Sequence, residues 1–256
     1  LFEGKYVVFF SNDVVATPNW LENLLTCIES DDNIICAVPT CQDYAISCSQ
    51  GIHVDYDNTF EALPQMEEFA QSYNKSNSRL WEERSSVMPF VSVMRRELFE
   101  VDIHDPSYIQ AQFIDDDVST VYRRSGWKQI LAKDTFMHHF GSVTLGDIND
   151  TMNTNGFINM RKVFYSKWGI DAWESRGIIS CSNVVFDCCD IQDDDKILWI
   201  DPLFGYNFLD FRNRYIRNNK SLGNTKAIVT NAKYQKDAEA YFSNVVVNKD
   251  VIAALS

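Results

Sequence analysis

Lys5-Tyr-Val-Val-Phe-Phe-Ser-Asn-Asp-Val-Val-Ala-Thr-Pro-Asn-Trp20 carries a strand, a polar stop and a helix start in one short run. Tyr6 to Phe10 are apolar, aromatic or β-branched without a break, which predicts a strand buried on both faces of a parallel sheet. Ser11-Asn12-Asp13 stops it. Thr17 and Pro18 then read as N-cap and first residue of a helix carrying Leu21, Leu24, Leu25 and Ile28 at helical spacing. Asp13 is thereby expected just past the carboxyl end of a central strand, where open α/β sheets bind ligands. A carboxylate there, with no Lys or Arg in the loop, suits a hard divalent cation holding phosphates. It equally suits a turn cap.

The 256 residues can hold one large or two modest domains, and 45% apolar with 13% aromatic content is globular. No apolar run reaches the roughly 18 residues of a membrane span. Leu1 to Lys5 runs straight into the expected strand, so no secretory leader is expected. The ends read as cuts within a longer protein. A net charge of −13 argues against a nucleic-acid partner, whose phosphates need clustered Lys and Arg. The acidic excess gathers at Glu29–Asp32, Asp115–Asp117 and Asp190–Asp195, runs that are ordinarily solvated. Seven Cys at irregular spacing, with no paired Cys-x-x-Cys sets, argue against structural zinc. Cys27 and Cys36 read as buried free thiols, and reduced thiols with an acidic surface suggest the cytoplasm.

Asn33–Pro39 is the next expected strand and completes a βαβ unit. Residues 40–64 read as irregular, with His53 either solvated or facing a ligand. Gln65–Glu83 reads as a helix interrupted near Asn74–Ser78, Val87–Met94 as a strand, and Arg95–Val101 as a short helix. Asp102–Gln112 reads as a loop on which His104 and Tyr108 either shape a pocket or supply plain polarity. Asp115-Asp116-Asp117 opens a helix with Val118, Val121 and Tyr122 on one side, Arg123 and Arg124 in its last turn, and Gly126 at C′. The macrodipole accounts for some of these carboxylates but not for three in a row. Adjacent like charges repel, so one is expected to be protonated or poised. Trp127–Ala132 is a strand. His138 and His139, flanked by Phe136, Met137 and Phe140, either pack or offer imidazole to a metal. Ile148–Trp168 is an amphipathic helix expected to start properly after Gly156 and to end at Gly169.

Gly4-Lys5-Tyr6 to Asp13, Asp115-Asp116-Asp117 through Gly126-Trp127-Lys128, and His138-His139-Phe140-Gly141-Ser142 together resemble the family 2 glycosyltransferases. Lys167-Trp168-Gly169 resembles the tripeptide that often closes their catalytic domain. The resemblance spans roughly residues 1–172 in consistent order. It implies a partial GT-A fold, a Rossmann-like mixed sheet that binds a nucleotide-sugar donor. It also implies Mn²⁺ or Mg²⁺ on the diphosphate at an Asp-x-Asp strand end, a position occupied by Ser11, Asn12 and Asp13. Only Asp13 keeps a carboxylate there and is the implied metal ligand. The family's Glu-Asp motif falls on Ile114 and Asp115, so Asp115 matches the catalytic base, with Asp116 one step away. His138 or His139 matches the family's His near metal and diphosphate. The strands that bind the nucleotide base are expected to precede Leu1. The implied reaction is inverting sugar transfer to a glycan or polysaccharide acceptor, Asp115 taking the hydroxyl proton and the cation stabilising the departing diphosphate.

Residues 173–195 read as a linker. In 196–256, strands at Lys196–Asp201, Thr225–Thr230 and Asn244–Val247 alternate with helices at Tyr206–Asn219 and Ala232–Phe242. This small Rossmann-like βαβαβ segment is similar to half of an S-adenosylmethionine methyltransferase. Its loop Asp201-Pro-Leu-Phe-Gly205 has one Gly, and the second strand ends at Thr230-Asn231 with no carboxylate for a ribose, so it reads as a degenerate structural or interaction segment, with methyl transfer as the alternative. Two rival readings stand beside sugar transfer. One is a catalytically incomplete glycosyltransferase-like binding or scaffold module. The other is a nucleotidyltransferase, for which no Gly-rich basic phosphate loop is present.

Overall fold

The run Ile-Ile-Cys-Ala-Val-Pro-Thr-Cys-Gln is buried at every position as strand β3 (Ile34–Gln42). It is the middle of a mixed sheet. The computed structural model describes residues 3–42, 50–99, 105–109, 112–141, 150–172, 192, 194–201, 212–213 and 225–247. Within them β1 (Tyr6–Phe10), β2 (Val14–Val15) and α1 (Trp20–Glu29) precede β3, and β4 (Gly51–Ile52), α2 (Leu63–Tyr73), β5 (Trp81–Glu83) and β6 (Val91–Arg95) follow it. Then come α3 (Ile114–Arg124), β7 (Lys128–Phe136), β8 (His138–His139) and α4 (Asp150–Trp168). The main sheet has the order β1-β6-β3-β7-β5, with β4 pairing the end of β3. β3 and β7 run parallel, whereas β6 is antiparallel to both β1 and β3. β1, β3 and β7 therefore point the same way, and their carboxyl ends share one edge.

Helices cover both faces of this sheet. Leu24, Cys27 and Ile28 of α1 pack with Ala37, Val91, Val93 and Ile130. Tyr122, Val118 and Val121 of α3 pack with Ile35, Cys36, Val38 and Leu131 on the other face. Ile35 and Cys36 face the same way because the register with β7 shifts between Ile34 and Cys36. Gly126, at φ 83, ends α3 in the left-handed conformation expected of C′.

Several sequence expectations are corrected. β1 is an edge strand with Val8, Phe9 and Phe10 exposed, because β6 inserts between it and β3. α1 starts at Trp20 behind Asn19 in the left-handed region (φ 60), so Thr17 is not its cap. The Thr17 hydroxyl instead donates to the carbonyl of Phe136 at 2.6 Å. α2 stops at Tyr73, at the interruption expected near Asn74–Ser78, but Trp81–Glu83 does not resume a helix and pairs antiparallel with β7. α4 begins at Asp150 and runs straight through Gly156. Cys27 and Cys36, joined by Cys41, are buried free thiols as expected. Among the described residues no helix is long and apolar enough to cross a membrane.

In the C-terminal segment β9 (Ile197–Asp201), β10 (Thr225–Val229), α5 (Gln235–Glu239) and β11 (Val245–Val247) form a parallel sheet ordered β11-β10-β9. Ala227, Val229, Tyr234, Ala238 and Phe242 share one core with Phe113, Met160 and Phe164. The segment thus packs onto α3 and α4 through common apolar contacts. His104, nearly all of the linker expected over 173–195 and most of the helix expected over Tyr206–Asn219 lie outside the described residues.

Candidate functional site at the sheet's carboxyl edge

Beyond β1, the Ser11 amide donates to the Phe90 carbonyl at 2.9 Å and the chain turns away from the sheet. β2 then pairs antiparallel with β8, Val14 opposite His139 and Val15 opposite His138. The Phe140 amide donates to the Asp13 carbonyl at 2.8 Å. This short ladder joins two sequence-distant segments and brings His139 Nε2 to 3.2 Å from Asp13 Oδ1. The His139 ring stacks on Phe90, with centroids 5.1 Å apart and planes 18° apart. Gln42, the last residue of β3, grips the His139 backbone at both ends: its Oε1 accepts from the His139 amide at 3.1 Å, and its Nε2 donates to the His139 carbonyl. His139 Nδ1 is buried and has no hydrogen-bond partner among the described residues.

His138 points the other way and is fully buried. Its Nε2 lies 2.8 Å from Asn58 Oδ1 and its Nδ1 lies 3.3 Å from the Tyr56 hydroxyl. Asn58 Nδ2 donates to the Phe140 carbonyl at 3.0 Å, so Oδ1 must accept and His138 carries its proton on Nε2. Burial, helped by the neighbouring His139, pushes His138 down to about 4 and keeps it neutral near pH 7. Both ring nitrogens have partners, Nε2 donating to Asn58 and Nδ1 accepting from the Tyr56 hydroxyl, and of the two imidazoles it is His139 that meets Asp13.

Asn12, Asp13, Asn58, Thr59, Phe60 and Phe140, with Val14 and Val15, line a cleft of about 630 Å³. The size suits a small-molecule site. Asn12 is exposed at its rim, whereas Ser11 is tied to Phe90.

The acidic start of α3 divides into separate roles. Asp115 is half-buried and lines a different, apolar cavity of about 220 Å³ with Phe9, Pro89, Ser92 and Met94. Among the described residues this cavity shares no lining residue with the Asp13 cleft. α3 runs back toward the start of β7, so its N-terminus lies toward the same sheet edge as Asp13, on the face that α3 covers. Asp116 is buried and accepts from the Ser86 hydroxyl at 3.1 Å. Asp117 is also buried and accepts from the Tyr108 hydroxyl (3.0 Å), Trp168 Nε1 (2.6 Å) and Lys167 Nζ (2.8 Å). The run of three thus resolves into one cavity-lining carboxylate and two internal ones. His53 is exposed, with Nε2 3.2 Å from Asp55 Oδ1, outside the cleft lining.

No group of three or more His, Cys, Asp or Glu suited to a metal occurs among the described residues. Asp13 and His139 offer one carboxylate and one imidazole. A hard cation that keeps waters and takes substrate phosphates as its remaining ligands fits such a pair. Gln42, Asn58 and Phe60 escaped the reading of residues 40–64 as irregular. The polar pair Asn58-Thr59 ahead of an aromatic was the only sequence signal there.

Comparison of the chain with protein-family models, with curated proteins and with solved structures finds no match in any of the three. Fold and site together define a class: a mixed α/β protein with a carboxylate–imidazole pair and a cleft at the carboxyl edge of its sheet.

Proposed function

We propose that the chain is the catalytic region of an inverting glycosyltransferase with a GT-A-type sheet. It would take a sugar from a nucleoside-diphosphate donor and pass it to a glycan or polysaccharide acceptor with help from Mn²⁺ or Mg²⁺. The observation that carries this reading is the contact of Asp13 with His139 beside the cleft, 3.2 Å apart where the sheet's parallel strands end. Among the described lining residues there is no Lys or Arg, so a diphosphate there needs a cation; Asp13 on the lining and His139, which contacts it, are the residues to hold one. When bound, the ion supplies Lewis-acid stabilisation of the leaving diphosphate.

The chain's own residues do the rest. Gln42 fixes the His139 backbone and Phe90 its ring, and neutral His138 with Asn58 fixes the strand that carries it. The family resemblance gives Asp115 the role of general base, taking the proton of the acceptor hydroxyl as its oxygen attacks the anomeric carbon. That role requires the cavity Asp115 lines to open onto the Asp13 cleft when substrates bind. The bond from that carbon to the diphosphate breaks on the opposite side, which inverts the configuration. The buried reduced thiols suit a cytoplasmic setting.

A second reading, a binding or scaffold module of the same ancestry, is favoured by one observation. Asp13 and Asp115 open onto cavities with no common wall residue among the described ones.

Calorimetric titration with UDP and with GDP, with Mn²⁺ or with EDTA, tests the shared part. Saturable, Mn²⁺-dependent binding is expected, weakened at least about tenfold by Asp13→Asn, as loss of a metal ligand requires. If neither nucleotide binds, or Asp13→Asn binds like wild type, both readings fall. Turnover of a bound nucleotide-sugar separates the enzyme from the module.

A further inference from the structure

Phe60 is 72% exposed, yet it does not stand on open surface. Its ring lies 4.7 Å from that of Phe140, tilted by 42°, and both rings line the cleft that holds Asp13. A lone exposed aromatic on a convex face needs no explanation, but one at the lip of a concave polar site does. Phe140 is held firmly. Its amide bonds Asp13, its carbonyl accepts from Asn58, and its ring meets His138 edge-on at 4.8 Å and 76°. Phe60 begins a short 3-10 turn (Phe60–Ala62) and leans on this fixed ring.

The polar part of the lining is amide, hydroxyl and carboxylate, from Asn12, Asn58, Thr59 and Asp13, with no cationic side chain among the described residues. A phosphate carrying no bound cation would be repelled at this lip. A purely apolar ligand would strand those polar groups. A neutral ring with an apolar C–H face and a rim of hydroxyls meets both demands. The lip is also the solvent side of the cleft, since Phe60 is far more open than the Asp13 side chain at 23%. A second substrate would arrive there.

We infer that the Phe60–Phe140 pair is a stacking platform for a pyranose ring of a saccharide acceptor. This rests on Asp13 marking the nucleotide-diphosphate end of the same cleft. Binding to an array of immobilised glucose-, mannose-, galactose- and N-acetylglucosamine-containing oligosaccharides tests it on the full chain. The wild type is expected to retain a subset of them. Phe60→Ala should weaken that binding about tenfold, equivalent to about 1.4 kcal/mol, while Phe60→Trp retains it. Phe60→Ala should weaken Mn²⁺–UDP or Mn²⁺–GDP binding less than saccharide binding, and an unchanged thermal melt reports that the variant is folded. Asp13→Asn should show the reverse pattern, losing the nucleotide and keeping the saccharide. The platform assignment is overturned if the wild type retains no saccharide. It is equally overturned if Phe60→Ala binds saccharide as before, or loses nucleotide to the same extent as saccharide. Loss of Mn²⁺–nucleotide binding by the wild type would instead remove the function on which the inference rests.

Discussion

Asp117 shows how one side chain in an acidic run can be wholly structural. Three donors from two other segments converge on it: Tyr108 from the loop before α3, and Lys167 and Trp168 from the end of α4. Burial and the Asp117 charge together raise the Tyr108 phenol above its ordinary value, so it stays a donor throughout the working range. Burial disfavours the charged form of Lys167, but Asp117 and Asp105 more than offset that and hold its ammonium above the usual value. Asp117→Ala removes the acceptor of the buried Tyr108 phenol and the half-buried Trp168 indole N–H, while the Lys167 ammonium keeps Asp105. The expected cost is about 2 kcal/mol, the order for leaving a buried donor unsatisfied. A urea titration reads this directly, and a midpoint shifted by less than about 1 kcal/mol equivalent would remove Asp117 from the role.

At the scale of elements, Asn74 fastens α2 to the end of β7. It ends α2 at 2% exposure, donates through Nδ2 to the carbonyls of Pro18 (2.7 Å) and Phe136 (3.1 Å), and accepts from the Phe136 amide at 2.6 Å. Asn74→Leu keeps the volume but strands a backbone N–H and a carbonyl. It should cost about 2–4 kcal/mol and speed amide exchange at Phe136, while unchanged exchange there would refute the fastening. None of this was legible in the sequence, where Asn74 reads as a break in a helix. The elements that were legible rest on local signals. α3 announced itself by acidic start, basic end and Gly126, and the parallel strands of the C-terminal segment by β-branched runs. What failed depends on distant partners. β1 looks central because its residues are apolar, but sheet order puts it at the edge. Thr17 looks like a cap, but its hydroxyl is claimed by Phe136. Trp81–Glu83 looks helical for lack of Gly or Pro, yet β7 recruits it as a strand. The site divides the same way. Asp13 and His139 stood out by residue type, whereas Gln42 and Asn58 gain their roles only through partners at positions 138 to 140.

Across the whole molecule, the C-terminal segment is tied to the main sheet's covering helix by an ion cluster over a shared core. Asp237 of α5 is 2% exposed and sits between two guanidinia, accepting from Arg123 Nη2 at 2.6 Å and Arg124 Nη2 at 2.9 Å. Burial alone would raise its carboxyl, but Arg123 and then Arg124 more than offset that and hold it below the ordinary carboxylate value. The folded form therefore binds its proton less readily than the unfolded chain. The stabilisation is fully present above the ordinary carboxylate range and is lost as pH falls through the lowered folded value. Asp237→Asn leaves two inward guanidinia short of a counter-charge and should cost about 3–5 kcal/mol at neutral pH, with a flatter acid limb than wild type. Because Ala227 and Val229 of β10 share a core with Met160 and Phe164 of α4, amide protection should fall in β10 and α4 together. β3 and β7, whose clusters lie on either face of the main sheet, should keep theirs. Hydrogen exchange read by mass spectrometry separates these regions. Loss confined to β10 would show that the shared core does not couple the segment to α4, and equal loss in β3 would show that the ion cluster supports the entire sheet.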